Sequence, residues 1–218
     1  MKKYLLLAIC AVMTLGASAQ RASSSSSTFF SSKRAETPVR FGITAGLNIA
    51  GQTWKDGDIS YSPDSRLGFN VGLTVDFPIL ESLYIKSGLL YTTKGSKDED
   101  DGYEEKLSPA YLEIPVLASY RYDFSDAAQW QLNFGPYFAY GIGGKYKYED
   151  GGYKGEEDYF GDEGAKRFDF GLQIGTGITL GQHYNIGIAY QFGLVNTADD
   201  SDVTLKNHNF MINLGYIF

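Results

Sequence analysis

Eight segments of the chain alternate between apolar residues and small or polar ones, and this alternation constrains the fold more than any other feature. In RLGFNVGLTVDF, residues 66–77, one set of side chains is apolar and the other is small, polar or charged. The apolar set is Leu67, Phe69, Val71, Leu73, Val75 and Phe77. Because successive side chains of a strand point to opposite faces, the segment predicts a β-strand with two unlike faces.

The same pattern recurs along the chain from Val39 onward. The predicted strands cover about residues 39–49, 66–77, 83–92, 112–122, 130–143, 167–180, 184–194 and 209–218. Strands of roughly ten residues or more are long enough to cross a membrane. Long connections alternate with short ones, and the long ones cover residues 51–65, 95–109, 147–165 and 196–206. This alternation is typical of outer-membrane barrels, and it favours pairing of consecutive strands in an up-and-down order.

The size of the apolar set indicates which face points outward. More than forty large apolar side chains lie on these faces, whereas an eight-stranded barrel has a lumen just wide enough to be filled by side chains. The apolar set must therefore face outward, and only hydrocarbon makes such a belt favourable. The predicted fold is all-β, an eight-stranded antiparallel up-and-down transmembrane β-barrel with long outer loops and short periplasmic turns.

Aromatic residues near the strand ends agree with this orientation. One set lies toward the short turns: Phe77, Tyr120, Tyr122, Trp130, Tyr184, Tyr216 and Phe218. Another lies toward the long loops: Phe69, Tyr91, Tyr140, Phe168 and Phe192. Together with the volume argument, they predict two interfacial girdles.

The N-terminal residues predict export and a flexible tail. Residues 1–19 combine Lys2 and Lys3 with an apolar run and small residues, which predicts a signal peptide cleaved after Ala19. Cys10 lies inside the apolar run, so a lipid anchor is disfavoured and the mature chain would have no cysteine. The serine-rich residues 20–38 are expected to form a flexible periplasmic tail ahead of a barrel domain at 39–218.

The overall charge excludes one class of partner. The chain has a formal net charge of -7, and losing the two lysines of the signal peptide takes it to -9. Nucleic-acid binding needs a basic surface, so it is not expected. No cofactor is expected either, because neither a cysteine site nor calcium-loop spacing is present.

Several stretches carry a family resemblance: FGITAGLN (41–48), YLEIPVLASYRY (111–122), GPYFAYGIGG (135–144), FDFGLQIGTGI (168–178) and INLGYIF (212–218). On these, the chain resembles the PorT-like outer-membrane β-barrel family over residues 39–218, and YLEIP is the most specific match. The resemblance implies an eight-stranded barrel of the OmpA and OmpX kind. It also implies insertion by the barrel-assembly machinery, which reads a final aromatic residue, here Phe218.

The inward-facing positions collect a mixed set of charged residues. The set is Arg40, Asp76, Lys86, Glu113, Arg121, Arg167 and Asp169. Because single buried charges are costly, pairing across the lumen is expected. We expect one cluster near the short turns, formed by Arg40, Asp76, Lys86 and Arg121. We expect a second nearer the loops, formed by Glu113, Arg167 and Asp169. A polar plug is favoured over a gate or narrow ion path because the lumen is small.

The outer loops hold 19 of the 26 acidic residues, so the loops face solvent as a negatively charged surface. Such density could attract divalent cations or a basic partner, but in KDEDDGYEE the calcium-loop pattern requires a carboxylate at position 97, where Lys97 stands. A solvated loop surface is therefore preferred and no metal site is predicted.

Catalytic groups are scarce. Histidine occurs in the chain only at 183, in a short turn, and at 208, near a strand start. No grouping of serine, histidine and acid falls on one face, so no catalytic residue is predicted. The favoured function is therefore an integral outer-membrane barrel with a structural or surface-interaction role, surrounded by outer-membrane lipid and with an extracellular or periplasmic protein partner left open. A narrow porin or a transport or secretion component is the alternative, and a barrel hydrolase is less favoured.

Overall fold

A computed structural model describes residues 35, 37–57, 59–100, 103–160, 164–198 and 203–218. The predicted signal peptide and most of the predicted tail lie outside these residues. Within them, no helix is long and apolar enough to cross a membrane.

The described chain consists of β-strands joined by turns. The eight long strands are β1 (Arg40–Asp56), β3 (Asp64–Leu80), β4 (Leu83–Thr93), β6 (Tyr103–Ser125), β7 (Ala128–Asp150), β9 (Phe168–Leu180), β10 (Tyr184–Gly193) and β11 (Val203–Ile217). Three shorter strands are β2 (Ile59–Tyr61), β5 (Ser96–Asp100) and β8 (Tyr153–Asp158).

The long strands form a closed antiparallel ring. Each pairs with the long strand that precedes it and with the one that follows, and β1 completes the ring by pairing with both β3 and β11. The β1–β11 register joins Gly42 to Ile217 at one end and Asp56 to Val203 at the other. Closure pairs the backbone groups on both sides of every long strand, which is the condition for strands at membrane depth. The predicted fold class is confirmed.

The apolar face points outward, as predicted. Leu67 is 73% exposed and Leu73 is 63% exposed, whereas Asn70, between them on β3, is 2% exposed. The same alternation runs along β6, where Leu112, Ile114 and Val116 are exposed. The inward exceptions are apolar side chains such as Leu117, which is buried inside the ring. The outer surface is therefore a continuous apolar belt around a polar interior.

Three of the predicted long loops are largely strands, which corrects the sequence-based boundaries. Residues 51–65 contain the end of β1, all of β2 and the first two residues of β3. Residues 95–109 contain β5 and the first part of β6, and residues 147–165 contain the end of β7 and all of β8. Pairing of β6 with β7 continues from the barrel out to Tyr103 and Asp150. The outermost residues of β6 and β7 and all of β8 are mostly charged or tyrosine, so backbone pairing and ion pairs between β7 and β8 hold them together. Closer to the barrel, Leu107, Tyr159 and Phe160 are buried in an apolar cluster.

The opposite end has tight connections. The β9–β10 turn uses left-handed backbone at two successive residues, with φ of 56° at Gly181 and 67° at Gln182. Two positive φ values in succession match the right-handed twist of a hairpin. Aromatic side chains cluster on the outer wall at this end, where the rings of Tyr184 and Tyr216 have centroids 5.4 Å apart.

Candidate functional site in the lumen

Four of the predicted charged residues meet near the short turns. We call Arg40, Asp76, Lys86 and Arg121 the turn-end cluster. Asp76 lies directly opposite Arg40 on β1 and Lys86 on β4. Its Oδ2 also accepts a hydrogen bond from Nη2 of Arg121 at 2.5 Å. Asp76 is 3% exposed and Arg121 is 2% exposed, so this ion pair is buried.

Positive charge is in excess in the turn-end cluster. The cluster has three basic side chains, those of Arg40, Lys86 and Arg121, around the single carboxylate of Asp76. Both guanidinium groups contact the ring of Tyr84, at 4.0 Å for Arg121 and 5.7 Å for Arg40. Nη1 of Arg121, Nε of Arg40 and Oδ1 of Asp76 are buried and have no hydrogen-bond partner among the described residues. This end of the lumen therefore has unused hydrogen-bonding groups as well as surplus positive charge.

Neutral polar side chains occupy the middle of the lumen. Asn48 donates to Oγ1 of Thr92 at 2.9 Å and accepts from Asn70 at 2.7 Å. A cavity of about 80 Å³ lies on the turn side of this layer, lined in part by Asn70, Lys86 and Gln131. The volume is enough for a few water molecules at most.

A second charged cluster lies toward the loops, and Lys94 is its centre. We call Lys94, Glu113 and Asp169 the loop-end cluster. The Nζ of Lys94 lies 3.1 Å from Oε2 of Glu113 and 3.1 Å from Oδ2 of Asp169. All three side chains are at most 1% exposed. The cluster therefore joins β6 and β9 through a cation at the end of β4, and carboxylates outnumber the base.

Aromatic and amide groups surround the loop-end cluster. The ammonium of Lys94 lies 4.2 Å from the centroid of the Tyr137 ring, a cation–π contact. Asn207 donates to Oδ2 of Asp169 at 3.1 Å, and Gln191 donates to Oε1 of Glu113 at 2.5 Å. These contacts supply part of the hydrogen bonding that buried charges require, while Oε2 of Glu113 and Oδ1 of Asp169 have no hydrogen-bond partner among the described residues.

A further layer lies above the loop-end cluster. Gln52 donates to the hydroxyl of Tyr159 at 2.9 Å and to Asn207 at 3.0 Å, and it accepts from Ser96 at 2.9 Å. Gln52, Ser96 and Asn207 are buried. Tyr159 also belongs to an apolar cluster that covers this end, formed by Leu107, Tyr111, Tyr137, Ala139, Tyr159 and Phe160.

The structure brings together six of the seven predicted lumen residues in two groups, but Arg167 is an exception. Arg167 lies just before β9 and is exposed. Its guanidinium donates to the carbonyl of Gly141 at 3.0 Å and to that of Phe160 at 3.0 Å. The predicted grouping of Arg167 with Glu113 and Asp169 is wrong, because β9 begins one residue later and its inward alternation does not reach Arg167.

The sequence prediction missed Lys94. The inward positions of β4 include Tyr84, Lys86, Leu90 and Thr92, and one more step of two residues reaches Lys94. The spacing of two residues from Thr92 was therefore the sequence feature that could have predicted an inward-facing Lys94. Gly95 follows with φ of 117°, and a Cβ there would meet the Leu107 carbonyl oxygen at 2.1 Å. The glycine therefore lets the chain turn closely past β6 immediately after Lys94.

Outside the belt, the β7–β8 hairpin carries a ladder of surface ion pairs. Lys147 lies 2.7 Å from Glu156, and Lys154 lies 2.7 Å from Glu149. Hydrogen bonds from Lys147 and Lys145 lower the pKa of Glu156. On β2, the hydrogen bond from the Tyr61 hydroxyl to Asp98 raises the pKa of Tyr61 to about 12. These contacts order an exposed, charged surface on the loop side.

The two histidines and the final phenylalanine have structural contacts. His183 stacks on Tyr216, and its Nδ1 is 2.7 Å from the carbonyl of Ile217. The His208 ring lies over Gly51 in the loop-side half of β11. The backbone N–H of Phe218 donates to the carbonyl of Phe41 at 2.9 Å, and its side chain is 67% exposed. Its role as an assembly signal stays a prediction.

Among the described residues, no group of three or more His, Cys, Asp or Glu side chains could hold a metal ion. The acidic residues Asp101, Asp162 and Glu163, which belong to the predicted acidic loops, lie outside the described residues.

Comparisons with known proteins place the chain in a family. A model of the outer membrane protein beta-barrel domain matches residues 19–199. A search of curated proteins found no significant match.

Several solved structures are similar to the chain. Ail, the attachment invasion locus protein of Yersinia pestis, was solved with the heparin analogue sucrose octasulfate; it is 16% identical over 84% of this chain and all of that one, with a TM-score of 0.42. OprG from Pseudomonas aeruginosa is 13% identical over 85% of this chain and 97% of that one, with a TM-score of 0.46. Neisserial surface protein A is 13% identical over 84% of this chain and all of that one, with a TM-score of 0.43.

Proposed function

The chain belongs to the outer membrane protein beta-barrel family and lies in the bacterial outer membrane, and on this premise we propose that it is a non-conducting, non-enzymatic barrel that presents an acidic outer surface to a protein partner. Its lumen is plugged by polar side chains. Outer-membrane lipid surrounds the belt, and the barrel-assembly machinery inserts it. The finer kinship with PorT-like barrels, suggested by the YLEIP stretch, is part of this proposal.

The observation that carries the proposal is the contrast between a filled lumen and an extended outer hairpin. From the turn end to the loop end, the lumen contains Arg121 and Asp76, then Asn48, then Lys94 and Glu113, all buried. An open pore needs a continuous water path, and these layers leave little room for one. The outer parts of β6, β7 and β8 instead place charged side chains in solvent, where a partner can reach them.

Planar-bilayer recording tests the plug. We expect the purified barrel to show no large, steady conductance at neutral pH, because the loop-end cluster and the Asn48 layer both cross the lumen. Large, steady conductance would contradict the plug and favour the narrow-porin alternative.

Cross-linking in cells tests the surface role. A photoreactive residue at Tyr153, which is 84% exposed, is expected to form an adduct with a partner. The matched control carries the same group at Leu73 on the lipid face, where no such adduct is expected. Adducts found only from the periplasmic turns would instead favour a transport or secretion component.

A further inference from the structure

A large cavity opens at the turn end of the barrel, separate from the outer hairpin. This turn-end vestibule has a volume of about 760 Å³, within the roughly 300–1,000 Å³ typical of small-molecule sites. Residues of the short turns and the start of β1 line it. They include Arg40, Tyr84, Glu81, Asp123 and Asp126.

The floor of the vestibule is positive. Arg40 lines it directly, and Tyr84, which is 4% exposed, lies beneath with Arg121 stacked 4.0 Å from its ring. Nε of Arg40 and Nη1 of Arg121 are buried without a hydrogen-bond partner among the described residues. The surplus positive charge of the turn-end cluster is thus next to the cavity. Arg121 is already paired with Asp76, so Arg40, which lines the cavity, is the cation that an anionic group from solvent can bind there.

The mouth of the vestibule is negative. Glu81, Asp123 and Asp126 line it and are exposed, so they lie at the rim rather than on the floor. Asp123 is close enough to interact electrostatically with Arg40. A simple anion would meet these carboxylates on entry and be repelled, whereas a ligand with a cationic group behind its anionic one would be attracted by both parts of the cavity.

From this arrangement we infer that the turn-end vestibule binds a zwitterionic, peptide-like ligand from the periplasm. Its carboxylate contacts the guanidinium of Arg40 on the floor, and its ammonium contacts the rim carboxylates. The buried ring of Tyr84 contacts both Arg40 and Arg121 and so supports the floor from below. The inference goes beyond the proposed surface role and does not depend on it, because the vestibule lies at the opposite end of the barrel from the outer hairpin.

Calorimetric titration of the purified barrel with three small peptides tests the ligand class. The probes are Ala-Ala, which is zwitterionic, N-acetyl-Ala-Ala, which is anionic, and Ala-Ala amide, which is cationic. We expect saturable binding of Ala-Ala, and binding about tenfold weaker or more for each of the other two, since each lacks one charge-assisted contact. Equal binding of the acetylated peptide would overturn the zwitterionic class, and so would the absence of saturable Ala-Ala binding.

Three variants locate the site. Arg40→Gln should weaken Ala-Ala binding about tenfold or more, and Asp126→Asn, an exposed rim change, should weaken it by a smaller factor of about three. Lys55→Gln is the matched control, because Lys55 is exposed on the same strand at the loop end. This variant should bind Ala-Ala as tightly as the parent.

Heat-modifiable migration on gels verifies that each variant is folded. Unchanged binding in folded Arg40→Gln would overturn the proposal. If that variant does not fold, unchanged binding in Asp126→Asn together with equal binding of the three peptides would overturn it.

Discussion

The two charged clusters in the lumen have opposite composition. The turn-end cluster has one acid, Asp76, among three bases, whereas the loop-end cluster has one base, Lys94, between two acids. Arg40 of the first borders an open cavity of about 760 Å³, while Lys94 of the second is 1% exposed beneath Tyr159 and its neighbours. In each cluster, a single minority charge offsets charges that would otherwise repel one another at low dielectric.

The difference shows which side chain each cluster depends on. Removing a minority charge leaves buried like charges unpaired, whereas removing a surplus charge leaves a pair intact. We therefore expect stability to depend most on the acid Asp76 at the turn end and on the base Lys94 at the loop end. The open end can also recruit ions from solvent, which the covered end cannot do.

The largest effects are expected from the minority charges. Lys94→Met should lower the free energy of unfolding by about 3–5 kcal/mol, because Glu113 and Asp169 lose their shared cation. Asp76→Asn should have an effect in the same direction and of similar size at the other end. Urea unfolding in detergent, followed by heat-modifiable migration, measures both. Lys97→Met is the control, since the ion pairs of Lys97 are accessible to solvent and such pairs contribute little to stability. A loss in Lys94→Met no larger than in this control would contradict the account.

A charge introduced on the lipid face should cause the next largest loss of stability, which can be compared with the losses from Lys94→Met and Asp76→Asn. Val71 is 46% exposed on the outer belt, and Val71→Lys should destabilise the inserted barrel by about 2–4 kcal/mol near the membrane midplane. Asn70→Gln, the neighbouring inward position, should be tolerated far better. Folding yields into lipid vesicles measure the difference. Equal yields from the two variants would contradict the assigned orientation of β3.

Surplus charges are expected to matter less. Glu113→Gln should change the free energy of unfolding by about 1 kcal/mol or less, because Lys94 keeps Asp169 as its partner. Lys86→Met should behave in the same way, since Asp76 keeps Arg121. The same urea titration measures both. A surplus-charge variant that is as unstable as Lys94→Met would remove the distinction between the clusters.

The surface ladder is expected to show the smallest effect and a simple pH dependence. Because the pKa of Glu156 is lowered in the folded hairpin, its contribution is present above the ordinary glutamate pKa and is lost as pH falls through the folded value. Proteolysis of the β7–β8 hairpin should therefore quicken slightly in acid, while the barrel stays folded. Lys147→Gln should show the faster cleavage already at neutral pH. No difference between Lys147→Gln and the parent at neutral pH would contradict the role of the ladder.

Much of the barrel could be predicted from the alternation of residues. The period of two identified the eight strands, and the volume of the apolar set gave the orientation of Leu67 and Asn70. Parity also indicated that Asp76, Lys86 and Arg121 face inward together. These features follow from local geometry, which the sequence records directly.

What was missed depends on register and on backbone pairing. Lys94 lies beyond the last apolar residue of β4, so no alternation with apolar neighbours marked it as inward-facing. Its partners are determined by how β4 and β9 align with β6 across the lumen. The outer part of β6 and all of β8 lack apolar residues on alternate positions, so their strand structure comes from pairing with β7. Arg167 was misplaced because an error of one residue in a strand boundary changes which way a side chain points.

A combined variant tests the central claim most directly. Lys94→Met, Glu113→Gln and Asp169→Asn together remove every charge of the loop-end cluster but keep side chains of similar size. If the lone cation serves to offset two buried carboxylates, this triple variant should be more stable than Lys94→Met alone and recover most of its lost free energy of unfolding, because replacing a whole buried ion set is often neutral. A triple variant less stable than Lys94→Met in the same urea titration would contradict the account.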